Sequence, residues 1–251
     1  MAYEEALSNY IPDGNNRVIL GTDGDFNVGV TDSDALTELV EGYARKGIYL
    51  TACGFGSGNL NDAMMKKISV KGNGTYQYID SEEEMAKVFV QERSKFVSVA
   101  NDTKVQVTFD PDMIESYRLI GYERRVMDTK DAGEIGAGQT ITALYEIVPT
   151  ENYKDGENCC KFDCRYKKYL LDAESQALSV DIKVAEGQMS SDLSFASGVA
   201  AYGLVLLGSE YKGDATLEMA SELVKSGLSF DPYGYRAQLL DLISKVKVSE
   251  K

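Results

Sequence analysis

The sequence predicts an α/β chain: a parallel sheet in the first hundred residues, a β-rich antiparallel section after it, and a helical section at the C-terminal end. Three observations predict this. Up to about residue 100, short apolar runs alternate with segments of helical period, the pattern of parallel strands joined by right-handed helical crossovers. From Asn101 the apolar period shortens to two, as in half-buried strands. From Asp192 it lengthens again to that of helices. The division read from these changes is 1–100 and 101–251, the second part comprising a β-rich stretch (101–190) and a helical cap (191–251).

Taken in order, Tyr3 to Tyr10 predicts a short helix closed by the Pro12-Asp13-Gly14 turn. Val18-Ile19-Leu20 reads as a strand buried on both faces. Gly21-Thr22-Asp23-Gly24 then turns carboxylates out at its carboxyl end, where open α/β sheets place their ligands. Asp32 or Ser33 is placed to cap a helix over 34–45 with Leu36, Leu39, Val40 and Tyr43 on one face, and Gly47 ends it. Ile48 to Cys53 is a second strand, Gly54 to Gly58 a glycine loop, and Met64, Met65 and Ile68 the inner face of another helix. Gly72-Asn73-Gly74 turns into a third strand, Thr75 to Ile79. Asp80 or Ser81 caps a helix from about Glu82 to Arg93, with Met85, Val88 and Phe89 inward.

Beyond Asn101, Val105, Val107 and Phe109 alternate with polar residues. The pattern recurs at Ile141, Ala143, Tyr145 and Ile147, at Phe162, Cys164 and Tyr166, and at Leu178, Val180, Ile182 and Val184, with Tyr117 to Tyr122 between. These are expected to be antiparallel strands with one wet face each. Gly133, Gly136 and Gly138 read as turns and close backbone approaches. The third section predicts helices from Phe195 to Leu207 and from Ala215 to Lys225, the latter ended by Gly227. Asp231-Pro232 opens a last helix as N-cap and N1. Its Leu239, Leu242, Ile243 and Val246 face is expected to lie on the strand layer.

Composition removes whole classes of function. At 251 residues the chain is long enough for a proper core. A net charge of −14 opposes binding to nucleic acid or to an anionic membrane face. The absence of histidine excludes Ser-His-Asp and Cys-His catalysis and histidine-ligated zinc. The cysteines are Cys53, a small buried hydrophobe in its strand, and the cluster Cys159, Cys160 and Cys164. That cluster has neither zinc spacing nor the density of a disulfide scaffold, so it is read as structural. The longest apolar stretch, Val199 to Leu207, is far short of the ~20 residues of a membrane span and reads as a core helix.

The acidic turn is the one candidate site. Asp23 and Asp25, with Thr22 and Asn27 nearby, are hard oxygen donors of the kind Mg²⁺ or Ca²⁺ takes. Asp23-x-Asp25-x-Asn27 opens like an EF-hand loop, but Val28 stands where glycine makes the sharp turn and Asp34 where a bidentate Glu is needed. A solvated acidic turn with no ion is the competing reading. Gly54-x-Gly56-x-Gly58 imitates a dinucleotide fingerprint, but the third glycine of that motif would fall on Asn59. A plain strand-to-helix turn fits it better.

The segments NNRVILGTDGDFNVGV, GIYLTACGFGSGN, KGNGTYQYID, YRLIGYERR, DAGEIGAGQTITALYEIVP, GSEYKG and DPYGYRAQLLDLI resemble bacterial von Willebrand factor type A proteins of the YfbK kind, over essentially the whole chain. The resemblance implies a partial Rossmann-like sheet of the type A kind in 1–100 and the family's own C-terminal region in 101–251. It also implies a metal-ion-dependent adhesion site, in which Mg²⁺ or another divalent cation keeps one coordination position for a carboxylate supplied by a protein partner. Three loops build that site: D-x-S-x-S, a Thr loop and an Asp loop. Asp23 matches the third, with Thr22, Gly24 and Asp25 shaping the loop and Asp25 placed to hold a water near the ion. Nothing in the chain matches the other two.

The chain is thus read as starting before the fourth of six type A strands. From this follow a weakly held or absent ion, because Mg²⁺ needs several oxygen ligands, and an open edge on strand 17–20 that invites a homo-oligomer or domain swap. The function expected is a non-enzymatic interaction module of adhesion type. An assembly scaffold without metal is the alternative, with a nucleotide-binding enzyme behind it. Read alone, the chain is expected in the cytoplasm; the cell envelope is the alternative, since related full-length proteins often carry an export or lipoprotein signal.

Overall fold

The computed structural model describes residues 1–23, 32–56, 61–121, 133–185, 187 and 189–246. The first section is a three-stranded parallel sheet in the order β1-β2-β3, formed by β1 (Asn16–Thr22), β2 (Ile48–Phe55) and β3 (Tyr76–Ile79). The register sets Thr22 opposite Gly54 and Phe55 opposite Ile79, so all three strands end along one edge. α2 (Ser33–Ala44) and α3 (Asp62–Lys71) connect them, while α1 (Ala2–Ser8) precedes β1 and α4 (Glu82–Ala86) follows β3. This is the predicted crossover pattern.

The central strand β2 is buried from Ile48 to Gly54. Its Leu50 and Ala52 pack under Val40 of α2 and Met64, Met65 and Ile68 of α3, with Val18 and Leu20 of β1 against them. On the opposite side Cys53 joins Ile79 and Val88. β1 was predicted to be buried on both faces, but Ile19 remains 49% exposed. Asp32 caps α2 as expected, accepting from the Asp34 and Ala35 amides, and Gly47 takes the left-handed conformation that ends this segment. Leu39, expected inward, is largely exposed.

The predicted helix 82–93 is three pieces. α4 stops at Ala86, a π-helical turn follows over Lys87–Gln91, and a 3₁₀ turn over Arg93–Phe96. Val88, in the widened turn, is buried, and Met85, in α4, is exposed. Phe89 and Phe96 stack at 5.8 Å between ring centroids.

Among the described residues, the β-rich section forms a four-stranded sheet in the order β6-β4-β8-β9 and a separate pair of strands, β5-β7. The strands are β4 (Ser98–Phe109), β5 (Ile114–Leu119), β6 (Gly133–Gly136), β7 (Tyr145–Pro149), β8 (Asn158–Lys167) and β9 (Gln176–Lys183). β7 starts later than its alternation suggested; Ile141 lies in no strand and is exposed. The glycines of β6 were read as turns and close backbone approaches, not as a strand. Gly136 is indeed a close approach, since a Cβ there would lie 2.1 Å from the Lys95 carbonyl oxygen. Every residue of β9 is exposed, so this strand has no dry face.

The chain forms two compact units. One holds Met1–Thr108, Asp128–Thr140 and Phe162–Val180; the other holds Phe109–Met127, Ile141–Lys161 and Asp181–Lys251. The second unit contains α5 (Ser191–Leu206), α6 (Leu217–Ser226) and α7 (Tyr235–Lys245). Gly198 of α5 sits so close to α6 that a Cβ would meet Val224 at 2.7 Å. Ile243, Leu239 and Leu240 of α7 pack with Ala201, Ala220 and Val224, so its apolar side joins a helical cluster instead of the expected strand layer. Its first turn also differs from expectation: the N-cap is Gly234 at φ 76°. Asp231 instead reaches forward to accept from the Ala237 amide. Backbone N–H groups of Tyr235, Arg236 and Ala237 then hold its carboxyl below the usual range, against the opposing effect of desolvation.

Candidate functional site

The edge where β1, β2 and β3 end gathers the candidate residues. Thr22 is the last residue of β1 and half-buried; Asp23 follows it, exposed. Gly56, at φ 94°, turns the chain away from β2, and exposed Asp80 follows β3. A parallel register sets these three strand ends side by side, as the sequence pattern required. Gly24, Asp25 and Asn27 of the acidic loop, and Ser57, Gly58 and Asn59 of the glycine loop, lie outside the described residues.

Helix N-termini open at the same edge, and each is closed by its own side chain. Asp32 caps α2, Asn61 accepts from the Met64 amide of α3, and Ser81 accepts from the Glu84 amide of α4. These caps take the Asp34, Ala35, Met64 and Glu84 amides among the orphan N–H groups of the three helix starts. Among the described residues, Asp23 and Asp80 are the carboxylates directly after the strand ends of the parallel sheet, and no group of three or more Asp, Glu, Cys or His is placed to hold an ion.

A second set of polar residues, not singled out from the sequence, lies at the other end of β1. Arg17 and Glu134 form a doubly hydrogen-bonded ion pair, Nη1 to Oε1 at 3.1 Å and Nη2 to Oε2 at 2.8 Å. Their side chains are only 6% and 5% exposed. Arg17 Nη1 also donates to Thr51 Oγ1 at 2.6 Å, and its guanidinium lies over the Tyr49 ring at 4.8 Å. Tyr49 Oη donates to Asn101 Oδ1 at 2.5 Å, and Asn101 Nδ2 donates to the Lys168 carbonyl at 3.0 Å. Burial pushes the Tyr49 hydroxyl up to about 12. Arg17 at a strand start and Glu134 between glycines both look like surface charges in the sequence. The signal available was Arg17 itself, a charge abutting a three-residue apolar run.

Comparison with known proteins places these features. The family described as "Uncharacterized protein YfbK, C-terminal" matches residues 94–163 and 151–248. The protein YfbK of Escherichia coli (strain K12) is 36% identical over 267 aligned residues, covering 97% of this chain and 46% of the relative. The chain thus spans a little under half the length of that relative. Among solved structures, a von Willebrand factor type A protein from Catenulispora acidiphila aligns at 14% identity and a TM-score of 0.44, covering 97% of this chain and 62% of that one. The human COPII-coat protein Sec24c aligns at 12% identity and a TM-score of 0.46, covering 84% and 33%. Scores this low carry no argument about function. No helix among the described residues is long and apolar enough to cross a membrane.

Proposed function

The chain belongs to the YfbK family, and from that membership we propose that it is a non-enzymatic protein-interaction module of the type A kind whose strand-end edge, led by Asp23, faces the partner. The observation that carries this reading is the parallel register, which aligns the ends of β1, β2 and β3 and leaves Asp23 and Asp80 exposed there. An acidic edge of this kind would meet a carboxylate-bearing partner only through a bridging cation; with too few oxygen donors of its own, it would hold that cation weakly. The assembly-scaffold reading has its own support in the edge of β1, which among the described residues pairs only with β2.

Titration calorimetry with Mg²⁺, Mn²⁺ and Ca²⁺ on the chain and on Asp23→Asn separates the two. The adhesion reading expects dissociation constants on the order of a millimolar or weaker, lost in the variant. Heats that are absent, or that Asp23→Asn leaves unchanged, favour the scaffold. Nucleotide chemistry has less behind it. It would require ATP or NAD to raise the melting temperature, and Asn59 stands where the third glycine of a dinucleotide fingerprint would fall.

A further inference from the structure

Helix α5 is apolar on every side, yet only one side of it is covered. It carries a single charge, Asp192, and from Leu193 to Ser209 the sequence has none. A helix apolar all round is ordinarily enclosed by other protein. Ser194, Gly198, Ala201 and Leu204 are buried, and Gly198 packs directly against α6. Val199, Gly203, Leu206 and Leu207 fall on the opposite side of a helix that turns about 100° per residue. There Val199 is 41%, Leu206 52% and Leu207 81% exposed. A Cβ on Gly203 would meet nothing within 4 Å among the described residues, so no other element covers the middle of this face.

The chemistry of the face selects its occupant. A helix that lies on a membrane pairs its apolar side with a basic polar side. α5 has no basic residue, and a chain of net charge −14 is repelled by anionic lipid. A protein partner that presented charges here would bury them unpaired. A second copy presents none: it brings the same uncharged surface, and a two-fold axis sets the two patches against each other. The one charge near the patch is already matched, since Arg236 Nη2 lies 2.5 Å from Asp192. Leu193, Val199, Leu206 and Leu207, with the small residues between them, expose roughly 500 Å² per copy, so a pair would bury about 1,000 Å², the lower end of specific interfaces. Gly203, with Ala196 and Ala200 beside it, lets two such helices approach at the short end of the usual ~8–10 Å range.

We propose that the chain pairs with a second copy of itself through this face of α5. The same patch serves on both copies, so the pair is closed and stops at two chains. Further association at higher concentration belongs to the edge of β1, which lies in the other compact unit.

Sedimentation equilibrium of the full chain at about 50 µM reads the assembly directly. Two chains per particle are expected. Val199→Lys and Leu206→Lys, both at exposed positions, are expected to run as single chains with unchanged far-ultraviolet circular dichroism. Gly203→Leu is a second route to the same result, because its side chain enters empty space in one chain and the contact in the pair. Ile19→Lys and Leu178→Lys, at exposed apolar positions in strands, should leave the pair intact. The proposal is overturned by single chains in the unsubstituted protein, by a pair that persists in either Leu206→Lys or Gly203→Leu, or by one that Leu178→Lys dissolves. Flotation with mixed phosphatidylcholine and phosphatidylglycerol vesicles should leave the chain in solution. Co-flotation that Leu206→Lys abolishes would overturn the proposal in favour of a lipid surface.

Discussion

Arg17 and Glu134 show how strongly one buried pair can bind sequence-distant segments. Taking two charges out of water is costly, and removing one partner leaves the other uncompensated in the interior. Glu134→Ala is therefore expected to cost about 3–5 kcal/mol, read as a lower urea midpoint with an unchanged slope. The double change Arg17→Met with Glu134→Leu should recover most of that loss, since an apolar pair of similar volume needs no compensation. Tyr49 supplies a pH test of the same region. Its folded pKa is raised from 10.0 to about 12, chiefly by burial, so its contribution is complete below pH 10 and lost as pH rises towards 12. Urea melts between pH 9 and 12 should show that decline, and Tyr49→Phe should flatten part of it. The sequence foretold none of this network. Asn101, 1% exposed and bonded to both Tyr49 and Lys168, registered only as the place where periodicity changed.

Elements were far more legible, for reasons tied to particular residues. Asp32, Gly47, Ser81 and the apolar run of β2 mark boundaries by local chemistry alone, and the parallel strands with their helices followed from them. What failed was tertiary. Met85 and Val88 sit at helical spacing, but a π-helical turn decides which of them is buried. Ile141 to Ala143 alternates, but among the described residues the strand it belongs to begins only at Tyr145. Gly74 carries a constraint the sequence hinted at only as a turn: a Cβ would lie 1.9 Å from the Leu50 carbonyl oxygen. Gly74→Ala must displace β2 backbone, so its cost should exceed the ~1–3 kcal/mol of ordinary overpacking, measured by thermal melt. Among the described residues β1 pairs only with β2, and that open edge carries a further prediction. Ile19 is half exposed beside an open ladder, so the molar mass in light scattering should rise with concentration, and Ile19→Lys should suppress the rise. A chain that stays monomeric at high concentration would remove the edge from the account.

At the scale of the whole molecule, composition did its work by exclusion. With no histidine and a net charge of −14, the remaining chemistry is oxygen donors, thiols and surface, and the strand-end edge is where exposed carboxylates follow a parallel sheet. The α/β class and the YfbK family were both readable from the chain. The site was readable only as a location, since Gly24 and Asp25 lie outside the described residues and one aspartate does not make a coordination shell. The central claim is that Asp23 leads a weak cation-dependent interaction edge, and Mn²⁺ broadening of amide resonances tests it most directly. Sub-stoichiometric Mn²⁺ should selectively broaden Thr22, Asp23 and the residues that end β2 and β3, and Asp23→Asn should abolish this. Broadening spread over the acidic surface, or unchanged in the variant, would contradict it.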